Sequence, residues 1–209
     1  MSMSETREEE FWNWITHSIG IALTLIGIPF LFIANTHLTP YSTLSLLLLS
    51  LGLLFVYLSS TFYHYVEAYK LKEKLRVLDH ISIYWLITGS YAPVCFITLY
   101  DYSGIPIFFA VLTLSIIGTA FKIFSNNRFN QLSLVLYIVL GWLIVIDIQT
   151  LFSLINSNAK TLLIIGGLSY TIGVLFYLQE KIKYNHAIWH IFVLLGSLSH
   201  YLLVLFYVI

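Results

Sequence analysis

The stretch from Thr43 to Tyr65, TLSLLLLSLGLLFVYLSSTFYHY, carries no Asp, Glu, Lys or Arg. About 20 mostly apolar residues cross the roughly 30 Å hydrocarbon layer of a bilayer as a helix, so this run predicts a membrane span with its one histidine, His64, at its end. Six further runs of similar length surround it: Trp14 to Ala34, Val77 to Thr98, Ile105 to Phe124, Gln131 to Leu151, Lys160 to Gln179 and Ala187 to Val208. Charges or turn residues separate them, including His37 to Pro40, Glu67 to Arg76 and Glu180 to Asn185. The expected fold is all-α: a polytopic membrane protein, a seven-transmembrane helix bundle in one domain over residues 1–209. Residues 1–13 are read as a short cytoplasmic N-terminal segment.

Composition agrees. Of 209 residues, 59% are hydrophobic and 10% charged, against roughly 25% charged in soluble domains. Too few polar groups exist to cover a water-soluble fold, and intrinsic disorder is excluded for the same reason. A net charge of zero argues against a nucleic-acid partner, which needs a clustered basic surface. The single cysteine, Cys95, forms no internal disulfide or cysteine metal cluster and reads as a small buried apolar residue. The first run follows Glu8-Glu9-Glu10 rather than a basic segment, so it is not read as a cleavable signal.

Lysine and arginine accumulate on the cytoplasmic side of membranes. Seven crossings divide the polar segments into two alternating sets. The N-terminal set holds Arg7, Lys70, Lys72, Lys74, Arg76, Lys122, Arg128, Lys181 and Lys183, and the opposite set holds only Lys160. The N-terminus is therefore expected in the cytoplasm and the C-terminus outside.

Ionisable side chains inside a bilayer are costly and mark function. His64 lies at the inner end of the second predicted span, Asp79 and His80 at that of the third, and His186 and His190 at that of the seventh. In His186-Ala187-Ile188-Trp189-His190 the imidazoles stand four residues apart, on one helix face. That pair can chelate a metal, or each ring can hydrogen-bond the headgroup region. Ser60 repeats the spacing one turn from His64. Three imidazoles would leave zinc an open position for water, the catalytic pattern, and Asp79 is the carboxylate at that depth able to take a proton. His80 points about 100° away from Asp79 and reads as a supporting residue. Asn13 and His17 share a face with Glu10 and read equally as part of the site or as a solvated edge. His200 is roughly 15 Å along the helix from His190, too far to share its metal. His37 falls in an external turn, and Asp147 near the outer end of the fifth span.

Several motifs occur together: Glu9-Glu10-x-x-Asn13-x-x-Thr16-His17, Ser59-Ser60-Thr61-x-Tyr63-His64, Leu78-Asp79-His80-x-x-Ile83-Tyr84, Gly89-Ser90-Tyr91-x-Pro93, and His186-x-x-x-His190 followed by Gly196-Ser197-x-x-His200. In order and spacing the chain resembles the hemolysin III family, the bacterial branch of the progestin and adipoQ receptor superfamily. The resemblance implies a seven-helix bundle in the bacterial inner membrane and a zinc site near its cytoplasmic face. It implies His64, His186 and His190 as the ligands, with Asp79 against the water on the metal and Ser60 beside it. The superfamily also includes lipid-amide hydrolases such as alkaline ceramidases, which implies membrane lipids as partners and a lipid amide or ester as substrate.

The expected function is therefore a zinc-dependent intramembrane hydrolase. Two alternatives stand beside it: a membrane sensor or regulator in which zinc is structural, and a pore-forming cytolysin. The last is disfavoured because Asp79 alone makes a poor ion pathway.

Overall fold

Helix α1 (Arg7–Ala34) begins at Thr6, whose hydroxyl accepts from the Glu9 N–H while the Glu9 carboxylate accepts from the Thr6 N–H at 2.8 Å. This capping box satisfies two backbone donors reciprocally. In the computed structural model, which describes residues 6–124 and 130–209, α2 (Ser42–Tyr65), α3 (Tyr69–Pro93), α4 (Gly104–Phe124), α5 (Asn130–Gly141), α6 (Ile148–Leu154), α7 (Ser157–Tyr177) and α8 (Asn185–Tyr207) follow. Among the described residues there is no strand. Seven helical segments are long and apolar enough to cross a membrane. The third continues α3 through a π-helical turn, Val94–Thr98, and the fifth joins α5 to α6 through a 3-10 segment, Leu143–Asp147. The chain is a multi-pass membrane protein.

Polarity is distributed as lipid solvation demands. Leu25, Ile26, Phe30 and Ile33 of α1 face outward, while α2 buries Ser42, Ser45, Ser50, Ser59 and Ser60. Ser45 and Ser50 donate to carbonyls of their own helix at 2.7 Å, so their hydroxyls need no water. Small residues let helix backbones approach closely. A Cβ on Gly89 would stand 2.6 Å from the Leu48 carbonyl oxygen, and one on Gly52 2.8 Å from that of Trp85, which clasps α2 to α3. Helix α1 packs on α2 and α8, α3 on α4, and α7 on α8, whereas α5 meets its neighbours sparsely.

Residues 7–13 form the first turns of α1. Two boundaries differ from the sequence expectation. The charged Glu67 to Arg76 break is largely helical, because α3 starts at Tyr69. Charge ends a membrane span without ending a helix, since Lys and Glu have good helix propensity in water. The fifth span, expected continuous from Gln131 to Leu151, is interrupted after Gly141. The Tyr91 phenol fills the break: it donates toward the carbonyls of Leu140 (2.9 Å) and Gly141 (3.1 Å) and accepts from the Ile144 N–H at 2.9 Å. A break at membrane depth is tolerated only where the freed backbone groups are satisfied within the protein. Tyr91→Phe leaves the Ile144 N–H without that acceptor, and a buried orphan of this kind costs about 1–3 kcal/mol. The expected result is a lower unfolding midpoint in detergent with the helix content unchanged, read by circular dichroism.

Other expectations hold. Cys95 is a free, buried thiol, and His37 occupies an exposed turn with φ 56°. Asp147 is half-buried and accepts from Ser103 and Thr150.

Candidate metal centre

Two helix ends deliver three imidazoles to one place. His64 comes from the last turn of α2, and His186 and His190 from the first two turns of α8. One ring nitrogen of each lies within 4.8 Å of the others, and the ring centroids are 4.7 to 5.2 Å apart. His64 and His190 are buried at 3% and 0% exposure, and His186 is half-buried.

Helix α1 passes behind these rings and sets their orientation. The His64 Nδ1 lies 2.7 Å from the Glu10 carboxylate, whose other oxygen holds the Lys72 ammonium at 2.7 Å. An ionised carboxylate only accepts, so Nδ1 carries the proton and Nε2 keeps its lone pair. His190 is treated likewise. Its Nδ1 is 3.1 Å from both the Asn13 carbonyl and the Thr16 hydroxyl, and that hydroxyl has its own proton directed at the Asn13 and Trp12 carbonyls. The His190 Nε2 is therefore the lone-pair nitrogen, and it is buried without a hydrogen-bond partner. Histidine metal ligands are characteristically fixed in this way, the second nitrogen donating to a carboxylate or backbone carbonyl. The three rings lie close enough together to hold one metal ion, and imidazole nitrogen suits metals that prefer nitrogen.

The acidic run at the start of α1 also tethers the loop before α8. The Tyr184 hydroxyl donates to Glu8 at 2.7 Å, Lys183 pairs with Glu8 at 3.4 Å, and the Tyr184 N–H reaches Glu9 at 3.4 Å. Tyr184 itself has φ 61°, a left-handed conformation uncommon for a residue with a side chain. This join lies immediately before His186.

Ser60 is fully buried one turn from His64, its hydroxyl without a hydrogen-bond partner. Asp79, 3% exposed, and His17, 1% exposed, both line an apolar cavity of about 230 Å3 that runs between α3, α5, α7 and α8. Trp142, Val145 and Ile164 line it and are themselves exposed, so the cavity reaches the outer surface of the bundle between the fifth span and α7. There the Trp142 indole donates to the Thr171 hydroxyl at 3.0 Å. Glu10 and His64 line a second space of about 690 Å3, whose rim includes the charged side chains of Arg7, Lys72 and Arg76. His64 thus lines the charge-rimmed space, and His17, which lines the apolar one, stacks on His190 with ring centroids 3.6 Å apart.

Asn13 and His17 are not a solvated edge: both are buried at 0–1% exposure. The signal was their spacing with Glu10 on one helix face, but its meaning depended on which way α1 turns. Lys122, counted in the sequence among the orientation charges, is 1% exposed near the end of α4, within electrostatic reach of Asp79 and Arg76. Its position in an otherwise apolar helix marked it, without indicating its partners. His80 contributes its carbonyl to the Tyr137 hydroxyl at 2.8 Å. His200 lies apart from the triad, its ring edge-on to Tyr170 and packed against Gly166, where a Cβ would come within 2.2 Å of it.

Glu10→Gln keeps the side-chain size but removes the carboxylate that orients His64. Losing such a supporting group costs about 10–100-fold in metal affinity. Where the three histidines hold a metal ion, the expected loss is of that order, measured by competition with a metal-chelating dye.

Comparison with known proteins places these features in context. The family described as "Haemolysin-III related" matches residues 5–201. Hemolysin-3 of Bacillus cereus is 38% identical over 208 residues, covering 99% of this chain and 95% of that protein. The Hemolysin-3 homolog of Bacillus subtilis is 38% identical over 203 residues, covering 97% and 95%. The human monocyte to macrophage differentiation factor is 25% identical over 199 residues, covering 90% and 80%.

Proposed function

The chain belongs to the hemolysin III family, and from that membership and its three converging histidines we propose a zinc-dependent intramembrane hydrolase of a lipid amide or ester. The observation that carries this reading is the convergence of the three histidines beside an apolar cavity that Asp79 and His17 line, His17 being stacked on His190. We place the N-terminus in the cytoplasm and the site near the inner face of a bacterial inner membrane, in keeping with nine basic residues against one.

His64, His186 and His190 would hold a divalent ion, zinc in our reading, which would supply Lewis acidity toward a carbonyl and toward water. Asp79 takes the proton of the attacking water and returns it to the leaving nitrogen or oxygen as the carbonyl–heteroatom bond breaks. The buried Ser60 hydroxyl donates to the oxygen that gains negative charge. Glu10, Asn13 and Thr16 hold two of the imidazoles in the tautomer that presents Nε2. The channel receives the acyl chain sideways from the bilayer and keeps bulk water out.

A structural zinc is the second reading. Helices α2 and α8 both pack on α1, and a metal shared by His64, His186 and His190 would tie them together directly. Purified full-length protein, analysed for metal and offered ceramides, other N-acyl amides and phospholipids, separates the two. The hydrolase is expected to carry about one zinc per chain and to lose turnover on chelation. Stoichiometric zinc without turnover across that panel rejects the hydrolase and leaves the structural role.

A further inference from the structure

His17 sits in α1 with 1% exposure, and neither of its ring nitrogens has a hydrogen-bond partner. Its ring stacks on His190 with centroids 3.6 Å apart and planes inclined by 16°, and meets the Tyr57 ring edge-on at 5.2 Å. It also lines the apolar cavity. A neutral imidazole has one donor and one acceptor nitrogen. Burying both without partners is costly, and the expense is unusual within a membrane span. The cavity walls are mostly aliphatic and aromatic, and along α8 they extend from Trp189 to Val204, about 22 Å at 1.5 Å per residue. Such a channel suits a long hydrocarbon chain whose polar head ends beside His17, which stacks on His190.

We propose that His17 is a specificity-determining residue, the hydrogen-bonding anchor that selects a lipid head able both to donate and to accept, and so favours an amide over an ester. The inference deepens the hydrolase reading and rests on its assignment of the cavity to lipid. One imidazole nitrogen donates to the head carbonyl. The other, directed away from the first, accepts from an N–H or hydroxyl elsewhere on the head. An ester without a donor leaves that second nitrogen bare, and a site built around a donor discriminates against the analogue that lacks it. The stacking on His190 holds the ring in place, so the head arrives against the three-histidine site.

The test measures binding without turnover. Full-length protein in detergent with EDTA is titrated with a hexadecanoyl N-(2-hydroxyethyl) amide and with methyl hexadecanoate, each competing against a fluorescent long-chain acyl probe. Wild type is expected to bind the amide about tenfold more tightly than the ester, the discrimination that one added hydrogen bond supplies. His17→Phe keeps a ring on His190 but removes both nitrogens. It is expected to bind the two lipids equally, with unchanged ester affinity and an unfolding midpoint no lower than wild type. His17→Asn, which restores a donor and an acceptor, is expected to recover part of the preference. Equal binding by wild type overturns the proposal and assigns the nitrogens to buried water; a preference that survives in His17→Phe overturns it as well. Because hydrolysis enters neither readout, a protein that binds with this preference but never turns over would fail the hydrolase reading alone.

Discussion

On the proposed hydrolase mechanism, Asp79→Asn is expected to keep the wild-type metal content and to turn over a lipid amide or ester about 100- to 10,000-fold more slowly, the usual contribution of a positioned acid–base group. Asp79 lies 3% exposed on α3, lines the channel that His17 also lines, and is outside the three-histidine group. The buried ammonium of Lys122 lies within electrostatic reach of it. Asparagine preserves size and hydrogen bonding yet cannot carry a proton between water and leaving group. Metal content and steady-state turnover, measured on the same preparation, decide the matter. Turnover within threefold of wild type would remove Asp79 from the chemistry, whereas loss of metal would make it part of the metal's support.

His190→Ala should have the largest effect on the metal itself. This ring is fully buried, its Nδ1 is held by α1, its Nε2 is the lone-pair nitrogen of the group, and its face covers His17. With His190 as a direct ligand, as proposed, its removal costs more than the about 10–100-fold that follows loss of a supporting group. The expected outcome is less than about a tenth of the wild-type zinc after dialysis, by elemental analysis. Full zinc occupancy in this variant would show that the three histidines are not the ligand set.

These two residues also show how far the sequence reaches. His190 and Asp79 stood out because polar side chains are scarce within the spans and because theirs fall at one depth, as do His64 and His186. The four-residue spacing of His186 and His190 put both on one face of α8. The convergence of these three histidines was thus legible from helix geometry and the map of spans. The charges of residues 67–76 marked a membrane boundary but not a helix boundary, since a helix can run on into water where its charged side chains are solvated.

The number of spans and their all-helical character were already contained in the order of residues, because an apolar run of about 20 has one means of satisfying its backbone in lipid. The chain's tertiary structure decided everything that depends on which helix faces which. The Glu10 carboxylate finds His64, the Asn13 carbonyl finds His190, and Tyr91 enters the break at Gly141 across separations of 54, 177 and 50 residues. No local period encodes such pairings. They arise because polar groups withdrawn from water must find partners within the protein, and only packing determines which ones are in reach.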